Sequence, residues 1–317
     1  MRVVVTGGAG FIGSHLCRAL VARGDSVICV DDYSSGLVSN VLTLTDSDRF
    51  ALLEHDVREP IPVVGPVDAV VNLASLASPP AYLARPLFTL QTGSIGTQNA
   101  LELAKRSGAR FVQASTSEVY GDPEIHPQTE NYWGNVNPIG PRSVYDEAKR
   151  YGEALVAAYT RKGLNGGIIR IFNTYGPRMR VDDGRVVTQF ISQALANEPL
   201  TVYGDGSQTR SLCYVSDLVR GFIAMIDSDH PGPVNMGNPQ ELTVRQIADL
   251  VIKLTASASR IEFRELPQDD PQRRRPDISK AQRELGWIPQ VDVIDGLART
   301  VEWIVGAHQD AVVASST

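Results

Sequence analysis

Cysteine is scarce: Cys17, Cys29 and Cys213 are the only three in 317 residues. They are too few and too far apart for a disulfide framework or a thiolate metal site. Each stands among apolar neighbours and reads as a buried small hydrophobe. The five histidines show no ligand spacing, so no metal is expected. No apolar run is long enough to span a bilayer. Basic residues are in deficit, with 30 Lys and Arg against 36 Asp and Glu and a net charge of −6. That balance argues against nucleic acid as a partner. The first β-branched run starts at residue 3, so no signal peptide is expected before the fold and the reading is a soluble cytoplasmic protein.

What is present begins with that run. Val3-Val4-Val5-Thr6 enters Gly7-Gly8-Ala9-Gly10, and a helical pattern of Phe11, Ile12, Leu16 and Leu20 follows through Gly13. Gly7 permits a tight turn, Gly10 lets a pyrophosphate approach the backbone, and Gly13 lets the helix lie close to the strand. A strand, a glycine cluster, a helix and then an acidic strand end form the pattern of a dinucleotide site. The acidic end is Val27-Ile28-Cys29-Val30-Asp31-Asp32. Asp31 lies about 20 residues past the glycines, where a carboxylate accepts from a ribose 2′-hydroxyl. No Arg or Lys follows closely, which favours NAD over NADP. Two more strand ends fit the same site. One ends at Asp56 and Val57, with Asp56 facing an adenine, and the other ends in Leu73, Ala74 and Ser75. Thr92 and Ser115 complete the expected cofactor contacts.

Strands alternate with helices to about residue 173, which implies a Rossmann-type, doubly wound parallel sheet. The length and a 43% hydrophobic content suit one large α/β unit with a smaller α/β annex. The expected division is residues 1–173 plus 209–236 for NAD, and 174–208 plus 237–307 for substrate. Residues 308–317 read as a flexible tail.

Ser143-Val144-Tyr145-Asp146-Glu147-Ala148-Lys149 places Tyr145 and Lys149 four apart, on one face of a helix. A free phenol has a pKa near ~10. A fixed ammonium favours the phenolate and lowers that value. Such a tyrosine takes a proton from an alcohol as hydride leaves the same carbon. The strand Arg110 to Thr116 runs into Ser117-Glu118-Val119-Tyr120-Gly121 and is expected to meet this pair.

At this point the chain resembles the extended short-chain dehydrogenase/reductase superfamily. A closer resemblance is to the UDP-glucuronic acid decarboxylase (UDP-xylose synthase) family. It rests on Thr116 to Gly121, Tyr132 to Gly140, Ile171 to Met179, Asp183 to Val187, Leu200 to Arg210 and Pro267 to Asp277. The resemblance implies oxidation at C4 of UDP-glucuronic acid with Tyr145 as base, Lys149 beside it and Thr116 on the C4 oxygen. Loss of CO2, protonation at C5 and re-reduction at C4 follow. It implies Ser117, Glu118 and Arg275 around the C5–C6 end, there to orient the carboxylate and deliver a proton. Arg274, in the same basic run, reads as a solvated side chain. Arg210 is implied on the diphosphate, Thr201 and Tyr203 on the uracil side, and Tyr82 and Asn173 on sugar or phosphate. Val187 and Gln208 complete the implied substrate contacts.

Two departures stand out. Gly93 replaces an Asn usual in the superfamily, which puts one supporting contact in doubt. Leu76 replaces a proline, which is expected to loosen a loop beside the sugar. A nucleotide-sugar 4-epimerase or 4,6-dehydratase is the rival on the same fold, and a retired NAD-binding sensor is a more distant one. Two long amphipathic helices, roughly 86–107 and 144–162, suit either a homodimer interface or burial against the chain's own sheet.

Overall fold

The computed structural model describes residues 1–266 and 273–315, with side chains to residue 306. The Pro267–Gln272 part of the Asp-Asp-Pro string and the last two residues of the tail lie outside the described residues. Six strands follow one another to residue 171: β1 (Arg2–Thr6), β2 (Ser26–Asp31), β3 (Phe50–Glu54), β4 (Ala69–Asn72), β5 (Arg110–Thr116) and β6 (Gly166–Ile171). α-Helices follow β1, β4 and β5, short 3₁₀ turns link β2 to β3, and no helix lies between β3 and β4. A seventh, Val234–Met236, joins at the edge beside β6. The sheet runs from that edge through β6, β5, β4, β1 and β2 to β3, and every pair is parallel. The doubly wound sheet expected from the alternation is therefore present.

Both faces of this sheet are dry, which explains its β-branched composition. Val3 and Val5 meet Leu16, Cys17 and Leu20 of the helix Phe11–Arg23 on one face. Val4, Val70 and Phe111 meet Leu101, Ala104 and Val156 on the other. Cys17, Cys29 and Cys213 are all unpaired and buried, as small hydrophobes are. The strand order reverses at β1, which lies between β2 and β4. Chain connections leave that point in opposite directions and open a crevice at the carboxyl ends of the strands.

The chain leaves the sheet after β6, returns through the helix Val215–Ile226 and the strand Val234–Met236, and leaves again. The outlying residues include several small units. Helices Val186–Leu195 and Val244–Thr255 pack together, and Leu200–Tyr203 pairs in parallel with Ile261–Arg264. A three-stranded sheet places Thr209–Ser211 between Glu241–Thr243 and Arg273–Arg274. Residues 308–315 of the segment read as a flexible tail belong to the helix Val293–Ser315. No helix among the described residues is long and apolar enough to cross a membrane.

The expected helix over 86–107 is interrupted. A π-helical turn, Thr92–Gly96, separates Pro86–Gln91 from Thr97–Ser107. Such turns are frequent at functional sites, and this one packs against the helix Ser143–Thr160 that carries Tyr145 and Lys149. A Cβ at Gly93 would stand 2.6 Å from the Cβ of Ala148, so the position has no room for an Asn side chain. The backbone at Gly93 lies directly on Ala148. Gly93→Asn is therefore expected to lower stability by about 1–3 kcal/mol through overpacking. Adding Ala148→Gly should recover part of that loss. Urea unfolding of the single and double variants checks it, and equal losses would show that Ala148 is not the obstacle.

Candidate active site

A cavity of about 1030 Å³ opens at the carboxyl edge of the sheet. It lies at the upper end of the range for small-molecule sites. Its lining combines the glycine turn, the ends of β2, β4 and β5, the Tyr145 helix and the outlying units.

The nucleotide end is built by the first strand-turn-helix. Gly7 has φ +68°, and its Cβ would lie 2.8 Å from the backbone of Leu73 and Ala74. A methyl on Gly13 would fall on the Gly7 carbonyl oxygen. The helix Phe11–Arg23 starts at Gly10 with no side-chain cap, so its first N–H groups are available to an anion. Gly7, Gly10, Phe11, Ile12, Gly13, Asp31, Asp32, Val57, Leu73, Ala74, Ser75, Thr92 and Ser115 all line the cavity. The Asp31 carboxylate accepts from Ala9 N–H and Tyr33 N–H at 2.9 Å each, and burial raises its pKa. Thr92 Oγ1 is buried with no hydrogen-bond partner, as is the Tyr82 hydroxyl. A glycine cradle, an uncapped helix end, a strand-end carboxylate and unsatisfied hydroxyls fit a dinucleotide. Asp56 is not among the residues that line the cavity. Its neighbours His55 and Val57 are, while Arg58 holds the Asp56 carboxylate in a two-pronged ion pair.

Tyr145 and Lys149 do share one face of their helix, and both are buried. Lys149 Nζ donates to the Ala114 carbonyl at 3.0 Å and sits 5.6 Å from the Tyr145 ring centre. Burial alone pushes the Lys149 pKa down to about 8. The expected lowering of the Tyr145 pKa is not met by these side chains. Burial raises that pKa, and the charge of Glu118 raises it further, whereas the hydrogen bond with Thr116 and the charge of Arg185 oppose them. Desolvation of the phenolate is the largest of these effects, and the Lys149 ammonium is not among the main ones. Tyr145 stacks on Tyr82 with ring centres 5.1 Å apart and planes 9° apart. Leu76 is buried in the same cluster with Tyr82 and Tyr145. The leucine thus packs in a buried cluster with the stacked rings, where the sequence suggested a loosened loop.

Beyond Tyr145 the cavity ends in charge. The turn Ser117–Tyr120 follows β5, and Thr116 Oγ1 caps it by accepting from Glu118 N–H at 3.3 Å. Glu118 accepts one hydrogen bond on each oxygen from Arg274, and a third from Arg142 at 2.8 Å. Burial alone would raise the Glu118 pKa, but the charges of Arg274 and Arg142 hold it down at about 2. Glu118 is therefore a fixed carboxylate, with two cations around it, and not a resting proton donor.

The basic run is shifted by one residue from the expectation. Arg274 lines the cavity and is buried, whereas Arg275 is absent from the lining and is 43% exposed in its side chain. Successive residues of a strand point to opposite faces, so only one of the pair can reach Glu118. Ser117, Tyr82, Asn173, Val187, Thr201, Tyr203, Gln208 and Arg210 all line the cavity as expected. Sequence reasoning missed Arg142, Arg185 and Asp146. Arg185 lines the cavity and grips Asp183. Asp146 is buried beside the cluster, and its pKa is pushed up to about 7, first by burial and then by the charge of Glu118. Arg142 stands three residues before Tyr145 and Asp146 directly after it within the motif, which was the available signal.

A model of the NAD dependent epimerase/dehydratase family matches residues 3–237. UDP-glucuronic acid decarboxylase 1 of Arabidopsis thaliana is 53% identical over 302 residues, covering 95% of this chain and 69% of that one. Its Danio rerio counterpart is 53% identical over 303 residues, covering 95% and 72%. Among solved structures, UDP-glucose 4-epimerase of Thermotoga maritima superposes with a TM-score of 0.90 at 29% identity, covering 97% of this chain and 100% of that one. UDP-glucuronic acid 4-epimerase of Bacillus cereus, in complex with UDP-glucuronic acid and NAD, gives 0.84 at 28%, again covering 97% and 100%. The glycine cradle, the Tyr145–Lys149 face and these matches agree: the chain belongs to the NAD-dependent epimerase/dehydratase family and, within it, to the UDP-glucuronic acid decarboxylases.

Proposed function

We propose that the protein decarboxylates UDP-glucuronic acid to UDP-xylose. The observation that carries this reading is the Glu118–Arg274–Arg142 cluster beside Tyr145 and Thr116. It sets a receptor for a carboxylate next to a pair suited to oxidising an alcohol. The net reaction consumes one proton and releases CO2.

NAD, held by the glycine turn, Asp31 and Lys149, supplies the hydride acceptor for C4 and later the donor. Tyr145 takes the proton of the C4 hydroxyl, and Thr116 hydrogen-bonds the same oxygen. With C4 a ketone, the C6 carboxylate is β to a carbonyl. The C5–C6 bond then cleaves, and its electrons pass into an enolate across C4 and C5. C5 takes a proton and Tyr145 returns one to the C4 oxygen. Arg274 and Arg142 orient the carboxylate before it leaves, with Glu118 fixing the two guanidinium planes. Arg210 serves the diphosphate, Thr201, Tyr203 and Gln208 the uracil side, and Tyr82, Asn173 and Val187 the sugar and ribose. Ser117 lies beside the C5–C6 end.

We also propose a homodimer through the helices around Pro86–Gln91, Thr97–Ser107 and Ser143–Thr160. Leu87 on Pro86–Gln91, Ile95 on the adjoining turn Thr92–Gly96 and Tyr151 on Ser143–Thr160 are 72%, 45% and 48% exposed, apolar surface of the kind that a second copy covers.

Three outcomes are expected. Purified protein incubated with UDP-glucuronic acid should yield a UDP-pentose by mass spectrometry, and Tyr145→Phe should cut the rate by ~10²–10⁴-fold while NAD stays bound. An isomer of unchanged mass would indicate an epimerase instead. Glu118→Gln should lower kcat/KM by ~10²-fold. Because the Glu118 carboxyl is held at about 2, it is ionised at any pH well above that, and its protective charge is lost only as pH falls toward 2. The ratio of wild type to variant should therefore stay flat between about pH 5 and 9, and a ratio that titrates in that window would show that Glu118 changes protonation there. Finally, sedimentation of the NAD-loaded protein should give twice the 34.4 kDa chain mass, and a single monomeric species would overturn the dimer.

A further inference from the structure

The three-stranded sheet carries two of the arginines assigned to substrate. Arg274 pairs in register with Arg210 on adjacent strands, and both line the cavity. Their chain neighbours, Thr209 and Arg275, belong to the opposite face. A single carboxylate there touches both neighbours. Glu241 Oε1 accepts from Thr209 Oγ1 at 2.6 Å, and Oε2 lies 3.7 Å from Arg275 Nη1. Glu241 Oε2 also lies 3.1 Å from His126 Nε2. Burial would raise the Glu241 pKa, yet the hydrogen bonds from Thr209 and His126 bring it down, so the group is anionic where it makes these contacts.

The backbone on this side is tied as well. Gln128 N–H donates to the Arg275 carbonyl at 2.9 Å, and Arg275 N–H donates to Gln128 Oε1 at 2.8 Å. The loop that holds His126 and Gln128 thus grips the strand of Arg274 from behind. The side chain that the sequence placed in the active site, Arg275, is part of this grip.

We propose that Glu241 is a positioning residue, which sets the spacing of Arg210 and Arg274 by cross-linking Thr209 to Arg275 and His126 behind the sheet. This rests on the proposed decarboxylase reading. The substrate fixes the distance between its diphosphate and its C6 carboxylate, so the two arginines that receive them must stand at a matching separation. A ligand with only the diphosphate engages Arg210 alone and does not sense that separation. Glu241 therefore matters for UDP-glucuronic acid and not for UDP.

The test uses NAD-loaded, full-length protein. Wild type is first assayed for CO2 release from UDP-glucuronic acid, and its absence overturns the functional reading and this proposal with it. In Glu241→Gln, kcat/KM for UDP-glucuronic acid should fall by about tenfold or more, since small misplacements are costly to catalysis. The Kd for UDP, measured by calorimetry, should change less than about twofold. In an Arg274→Ala background, Glu241→Gln should add nothing further to the loss, because the residue acts through Arg274. Thr209→Val removes one end of the cross-link and should act in the same direction if Glu241→Gln folds poorly. Wild-type kinetics in both variants, equal loss of UDP and UDP-glucuronic acid binding, or additive losses with Arg274→Ala would each overturn the proposal while leaving the decarboxylase reading intact.

Discussion

Glu118 and Arg274 are 156 residues apart in the chain, and their paired hydrogen bonds join the end of β5 to the small sheet across the cavity. Arg142, from the approach to the Tyr145 helix, completes the clamp. Three separate elements thus meet on one carboxylate. Such a buried pair is weak evidence for stability, because apolar residues of the same shape often serve as well. Removing one partner is another matter and typically costs about 3–5 kcal/mol, since a charge is left without compensation. A clamp of this kind in a cavity wall is better explained by what the cavity must receive. Its geometry is fixed before any substrate arrives, and that is the state an electrostatic site needs.

The large sheet supplies the other half of the preorganisation. Its order reverses at β1, so the crevice lies above Gly7 and the ends of β4 and β5. The glycine turn, Thr116 and Lys149 are all placed by strand ends or by a helix lying on them, not by free loops. Lys149 is anchored to the Ala114 carbonyl of β5, and Gly93 lets the π-helical turn press directly on Ala148. The Tyr-Lys helix is thereby fixed from two sides.

Much of this was legible because it depends on local spacing. Glycines at a strand-to-helix turn, an acid one strand later and a Tyr-x-x-x-Lys face are patterns in which the chain places its own neighbours. The cavity wall contains nearly all of the residues read that way. What failed was long-range or depended on phase. In Arg273-Arg274-Arg275, composition cannot say which side chain points inward, because a short strand has no hydrophobic alternation to set its phase. Asp56 lies just past its strand end as expected, and the sequence did not announce its ion pair with Arg58. The effect of Leu76 was misread because its partners, Tyr82 and Tyr145, come from other parts of the chain.

The site must satisfy two demands that conflict. It has to hold a carboxylate, and it has to ionise a phenol a short distance away. The charge of Glu118 already raises the Tyr145 pKa, second only to burial, and a bound uronate adds a further negative charge to the same cavity. A carboxylate receptor built with one arginine for one glutamate would be neutral and would leave that penalty unopposed. Here two guanidinium groups share Glu118, Arg185 acts on Tyr145 from another side, and Lys149 lies beneath the ring. On the proposed reading, the second guanidinium on Glu118 and the charge of Arg185 offset part of that penalty, and burial of the phenol remains the larger effect.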